Sequence, residues 1–304
     1  MSFCQVIHQI PTDVLNEIGK NLNLDDLLNF IYTNKNTASR NLFLALLPYH
    51  EIDIDKIPKG DLPNLSGADL IKITQINNKI TQITNVKNDD LDTLKERFPN
   101  LKRLTFGFDF NQPIYSGILP ESLTNLTFGY EFNQPIELGR LPKSLTNLNF
   151  GWEFNQPIEP GTLPNSLTHL TFGAYFQQSI GPGILPKSLT NLTFGVWFNQ
   201  PIEPEVLPKS LTHLTFGWFF NQPILTDVLP KSLTNLTFGG KFNQSIGPGI
   251  LHESLTYLTF GQYFNRPIGP EILPKSLTNL ILSEHYNTYE FDIDTKELKN
   301  YLYP

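Results

Sequence analysis

From Leu101 onward the chain repeats itself every 22 residues, and this period limits what it can fold into. Phe110, Phe132, Phe154, Phe176, Phe198, Phe220, Phe242 and Phe264 follow one another at that step, as do Ile114 through Ile268 and Gly107 through Gly261. The shared wording is LPxSLTxLTFGxxFNQPI followed by four looser residues. A fixed period of this size marks an array in which no unit can bury its own apolar face, so neighbours must stack to do it. Each unit is too short for a strand, a full helix and two loops, and Pro120 and Pro135 exclude helix interiors near them. In Leu126-Thr127-Phe128 the apolar residues lie two apart, so both face one side of a short strand, while Asn125 and Thr127 face the other. Each copy therefore reads as one coil made of a strand, a bend at the glycine and an irregular return path, with successive strands parallel.

Stacking explains why the copies are so nearly identical. Equivalent residues of adjacent coils sit about 4.8 Å apart, so Phe132 is expected over Phe154 and Asn133 over Asn155. Columns of rings and ladders of asparagine are stabilised by such repetition. A buried asparagine amide must find partners, and the neighbouring backbone can supply them.

Composition narrows the function classes. The net charge of −7 argues against a nucleic-acid backbone as the main partner, which would call for clustered Lys and Arg. No apolar run reaches the length of a membrane-spanning helix, and MSFCQVIHQIPTD lacks the pattern of a secretory signal. A single cysteine, Cys4, can form neither an internal disulfide nor a cysteine-based zinc site, so a reducing, cytoplasmic setting is expected. The Asn-x-Ser/Thr triplets at Asn125, Asn191 and Asn235 recur because the repeat recurs. His169 and His213 stand two coils apart, about 9–10 Å, too far to share one zinc ion. No nucleophile, metal or phosphate-binding motif occurs, and the GPG at Gly181 and Gly247 is a loop signal. A non-enzymatic protein without cofactor or metal is expected.

The first half of the unit, LxxLxF at Leu123 to Phe128, matches the front of a leucine-rich repeat, and the second half, FNQPI, resembles the FNIP repeat, a relative of that class associated with amoebae and the large viruses that infect them. The resemblance runs from Leu101 to about Tyr286 over eight full copies; Gln177 stands where the pattern has Asn, and Ser179 and Ser245 where it has Pro. Nearer the start, Ile10-Pro11-Thr12-Asp13-Val14-Leu15, then Ile18, Leu22 and Asp26-Leu27-Leu28, resembles an F-box, although the aromatic expected soon after Lys35 is missing. That resemblance implies helices that bind the adaptor of a cullin-RING ubiquitin ligase through Pro11, Leu15, Ile18, Leu22 and Leu27; the other reading of the same helices is that they only cap the stack. The expected layout is an F-box-like helical module at 1–50, leading coils at 51–100 with a helix in LDTLKERF, a β-rich leucine-rich-repeat-like solenoid with a parallel sheet at 101–290, and a C-terminal cap at 291–304. The implied function is a ubiquitin-ligase substrate adaptor, monomeric apart from the ligase complex and cytoplasmic, in the host's cytoplasm if virus-encoded.

In a near-invariant repeat the variable letters are free of the packing demand. One such site is the doublet at the glycine step of each copy, read in order as FD, YE, WE, AY, VW, WF, GK, QY and EH. It holds Phe108, Tyr130, Trp152, Tyr175, Trp197, Trp218, Phe219 and Tyr263. The other is the strand position that includes His169 and His213. Both sites flank the inward Leu and Phe, so they are expected to line the exposed face of the sheet. Rows of exposed aromatics serve as anchors at protein interfaces, so a target protein is the expected occupant. Rings folded back over the sheet's rim, or stacked on a carbohydrate, are the readings left open.

Overall fold

The structure, a computed structural model, describes residues 80–87, 91–92, 94–269 and 271–283, together with the backbone pairing of 52–53. The strands are β1 (Ile52–Asp53), β2 (Gln82–Val86), β3 (Arg103–Phe106), β4 (Asn125–Thr127), β5 (Asn147–Asn149), β6 (His169–Thr171), β7 (Asn191–Thr193), β8 (His213–Thr215), β9 (Asn235–Thr237), β10 (Tyr257–Thr259) and β11 (Asn279–Ile281). They form one parallel sheet in chain order. From β3 onward the register advances by one repeat per strand, so that Asn125 pairs with Asn147 and Leu126 with Leu148. The pairing of β2 with β3 carries an irregularity between Ile83 and Val86, where the regular repeat begins. The helix expected in LDTLKERF is α1 (Leu94–Arg97), which buries Leu94 beneath the first coils and ends before Pro99. The F-box-like positions Pro11, Leu15, Ile18, Leu22 and Leu27 and the cap at 291–304 lie outside the described residues. Among the described residues, no helix is long and apolar enough to cross a membrane.

Each coil is a parallel β-solenoid turn with a continuous apolar interior. In the coil of β4, Leu123, Leu126, Phe128, Phe132, Ile136 and Leu141 are all buried, and Asn125 and Thr127 face outward at half exposure. Alternation along the strand thus assigns the faces as the sequence implies. Phe128 and Phe132 stack within the coil with centroids 3.8 Å apart. Each also meets its equivalent one coil on, Phe128 to Phe150 at 5.8 Å and Phe132 to Phe154 at 6.0 Å. The interior is therefore a double column of rings.

Polar residues of the repeat tie coil to coil. The Ser144 hydroxyl donates to the Leu123 carbonyl at 2.6 Å, and Thr146 Oγ1 donates to the Thr124 carbonyl at 3.1 Å; the same two bonds recur up the stack. These account for the unvarying Ser and Thr of SLT, to which the sequence alone assigned no task. The asparagine ladder is real but is not buried. Asn133 Oδ1 accepts from the Asn155 N–H at 2.9 Å and from Gln156 Nε2 at 3.0 Å, at half exposure. Its oxygen is satisfied by the next coil, so burial is unnecessary. At Gln177 the ladder is interrupted. Its own N–H donates to Asn155 Oδ1, yet among the described residues no matching bond joins Asn199 to the Gln177 side chain. One extra methylene moves the carbonyl oxygen out of reach.

The glycine after the strand does not serve as a flexible bend. A Cβ on Gly195 would lie 1.7 Å from the Gly173 carbonyl oxygen, so bare backbone is required for the coils to approach. Left-handed backbone is needed instead in the outer loop. There Gly161 and Gly183 have φ of +84° and +81°, and Glu205 and Asp227 hold the same conformation at φ 66° and 63°.

Candidate protein-binding rim

The variable doublet occupies the two central positions of a turn that follows each strand from β3 to β10. In the coil of β4 this turn is closed by the Phe132 N–H donating to the Gly129 carbonyl at 3.2 Å, which places Tyr130 and Glu131 at its tip. The doublets therefore form a rim beyond the end of the sheet, and the expectation that they line the sheet's face is corrected. A turn closes immediately after the glycine, so the chain leaves the sheet before the doublet is reached. The strand position does lie on the outer face: His169 and His213 are exposed there, each ring Nδ1 2.9 Å from the hydroxyl of the preceding threonine. Among the described residues, no group of three or more His, Cys, Asp or Glu could hold a metal ion.

The rim has a rigid foundation. The Glu131 N–H donates to the Phe108 carbonyl at 3.0 Å, Glu153 to Tyr130 at 3.0 Å, Trp197 to Ala174 at 2.9 Å and Lys241 to Trp218 at 2.8 Å. Coil-to-coil bonding thus continues past the sheet and through the turns, so the side chains above are presented on fixed backbone.

On this base the rings form a near-continuous pile. Phe108 stacks on Tyr130 at 4.7 Å, Tyr130 on Trp152 at 5.7 Å, and Trp152 meets Tyr175 edge-on at 6.3 Å. Tyr175 then lies against Trp197 at 6.3 Å, and Trp197 on Phe219 at 4.0 Å. The edge-on contact falls where the aromatic moves from the first doublet position to the second. Farther along, Trp218 meets Tyr263 edge-on at 6.4 Å, and Lys241 Nζ sits 4.0 Å from the centre of the Tyr263 ring. Trp218 lies over Gly240, where a Cβ would come within 2.6 Å of the indole, so this one ring does fold onto the next coil. Phe219 is half-buried; the other seven proposed rings remain between 38% and 63% exposed.

Charge is unevenly distributed along the same turns. Asp109, Glu131 and Glu153 fill the second position in the first three coils and Lys241 fills it near the far end. The Tyr130 phenol is held above its ordinary range, first by burial among its neighbours and then by the carboxylate of Glu153, with smaller contributions from Tyr175 and Glu131. This gradient was legible in the letters FD, YE, WE and GK, but attention to the aromatics alone passes over it.

The model of the FNIP repeat matches residues 55–131, 132–175, 154–197, 176–217, 198–241 and 242–285, well over half of the chain. This chain belongs to the FNIP repeat family. The first FNIP match begins at residue 55, ahead of the regular coils. Among solved structures, the FNIP array is similar to CroV588, a circular leucine-rich-repeat protein, at 45% identity and a TM-score of 0.62 over 68% of this chain and 34% of that one. The chain thus spans about a third of the length of CroV588. It also matches YopM from Yersinia enterocolitica WA-314 at 22% identity, a TM-score of 0.36, and coverage of 67% of this chain and 44% of that one. No curated protein matches the chain. The leucine-rich-repeat-like solenoid that the FNIP coils build is a protein-interaction fold.

Proposed function

We propose that this protein is a two-ended adaptor, whose solenoid holds a target protein along the aromatic rim and whose N-terminal segment joins that target to a cullin-RING ubiquitin ligase. The observation that carries the target-binding half is the pile of exposed rings from Phe108 to Phe219, standing on turns that are themselves hydrogen-bonded from coil to coil. Large rings on a fixed base lose little conformational freedom on binding, which suits them as anchors. The ligase half rests on the F-box resemblance at Pro11, Leu15, Ile18, Leu22 and Leu27. The mechanism is proximity: two proteins bound to one chain are held within reach of each other while that chain performs no chemistry.

A carbohydrate partner is less favoured by the same rings. A sugar stacks on an open aromatic face, whereas Tyr130 is stacked between Phe108 and Trp152, and Trp197 and Phe219 turn faces toward each other. Protein contacts can use the exposed ring edges. Co-purification from a cell that contains the ligase tests both halves. The full chain is expected to bring down a cullin adaptor and a target; deletion of residues 1–50 should lose only the adaptor, and Trp197→Ala with Trp218→Ala only the target. Retention of the adaptor after the deletion, or of every target by the tryptophan variant, refutes the corresponding half.

A further inference from the structure

The rim changes chemistry along its length, and its first three coils differ from the rest. Phe108, Tyr130 and Trp152 stack in the first position of the doublet while Asp109, Glu131 and Glu153 form a column in the second. Backbone bonds hold this register, so successive carboxylate side chains start about 4.8 Å apart. Like charges this close repel, and no cation among the described residues pairs with any of the three. The described ion pair, Glu137 with Arg140, lies in the outer loop. Packing does not require the acids, because the same position is occupied by Tyr175, Trp197 and Phe219 in the next three coils and by Lys241 after them. The arrangement leaves an exposed ring column beside an uncompensated negative column, each on rigid backbone.

Resting on the reading of the rim as a docking surface, we infer that its first three coils bind an extended, arginine-rich segment of the partner, with guanidinium groups on the carboxylates of Asp109, Glu131 and Glu153 and the methylene stems against the exposed ring edges. Arginine meets both halves of the surface: its planar group pairs with carboxylates while its methylene stem packs on apolar surface. The dimensions agree. Two coil steps span about 10 Å, and an extended chain advances about 3.3 Å per residue with alternate side chains on one face, so two or three alternating arginines cover the three acids. Lys241, already placed over the Tyr263 ring, would repel such a segment at the other end and so sets its position along the rim.

The test uses the full chain and two labelled peptides, one alternating Arg and Ala, the other alternating Glu and Ala, at low salt. The arginine peptide is expected to bind more tightly than the glutamate peptide and to weaken as salt rises. Glu131→Gln with Glu153→Gln should weaken it about tenfold. Glu159→Gln with Glu203→Gln removes the same charge from exposed loops away from the rim and should change it less than about twofold. Equal effects of the two double variants, equal binding of the two peptides, or no binding of the arginine peptide overturns the inference. If it fails in any of these ways while Trp197→Ala with Trp218→Ala still sheds the protein target, the docking reading of the rim stands without it; if the tryptophan variant sheds nothing, the rim reading itself is lost.

Discussion

Trp197 and Phe198 are neighbours in the chain and belong to two different columns of rings. Phe198 is fully buried and lies 6.1 Å from Phe220 in the next coil; Trp197 is 39% exposed and lies 4.0 Å from Phe219. Both columns are products of the same coil-to-coil register. In the interior every coil repeats the same ring, because a smaller one leaves a void and a larger one forces the coils apart. On the rim the ring may be Phe, Tyr or Trp, may change doublet position, or may give way to Lys241, because solvent takes up the difference. Periodicity therefore measures packing demand, and departure from it marks surface that is free to be used.

The sharpest break of this comparison is to truncate each neighbour in turn. Phe198→Ala should destabilise the protein by about 3–5 kcal/mol and leave the coils around it loosely packed. Trp197→Ala removes only a stacked surface pair and should cost about 1 kcal/mol. Urea unfolding of both variants gives the difference directly; similar losses would mean that the rim column supports the fold as much as the core does.

A second contrast, smaller in effect, sets two glycines against each other. Gly195→Ala drives a methyl group into the Gly173 carbonyl, with backbone on both sides unable to yield, and should cost about 3 kcal/mol. Gly183→Ala imposes left-handed strain in an open loop, where the nearest atom is 3.9 Å from the new carbon, and should cost about 1–2 kcal/mol. Thermal midpoints in the opposite order would show that conformation, and not close approach, governs the interior glycine.

The smallest effects should be gains at two places where the repeat is imperfect. Thr162 stands in a position held by Ile or Val in every other regular coil except that of Arg140; it is 4% exposed and its hydroxyl finds no partner. Thr162→Val keeps the shape and removes an unsatisfied group, so about 1 kcal/mol of stability should be gained. Gln177→Asn returns the ladder oxygen to reach of the Asn199 N–H and should add about 0.5 kcal/mol, a bond half open to water being worth less than a buried one. A loss of stability in either variant would show that these departures serve the coil in which they occur.

What the amino-acid order determined by itself is the coil: its length, its parallel stacking, the inward Leu and Phe, and the rings placed one over another. These follow because a strict 22-residue period allows one packing solution, and a strand's two-residue alternation then assigns every side chain to a face. The variable letters also identified the aromatics of the rim. The tertiary structure decided what lies between coils. Only when one coil rests on another does Gly195 meet the Gly173 carbonyl, does Ser144 find the Leu123 carbonyl, and does the Asn133 amide prove useful at half exposure. The stack likewise moved the doublet from the face of the sheet to a turn beyond its end and set Asp109, Glu131 and Glu153 side by side, since groups 22 residues apart become neighbours only through the closure of every coil between them.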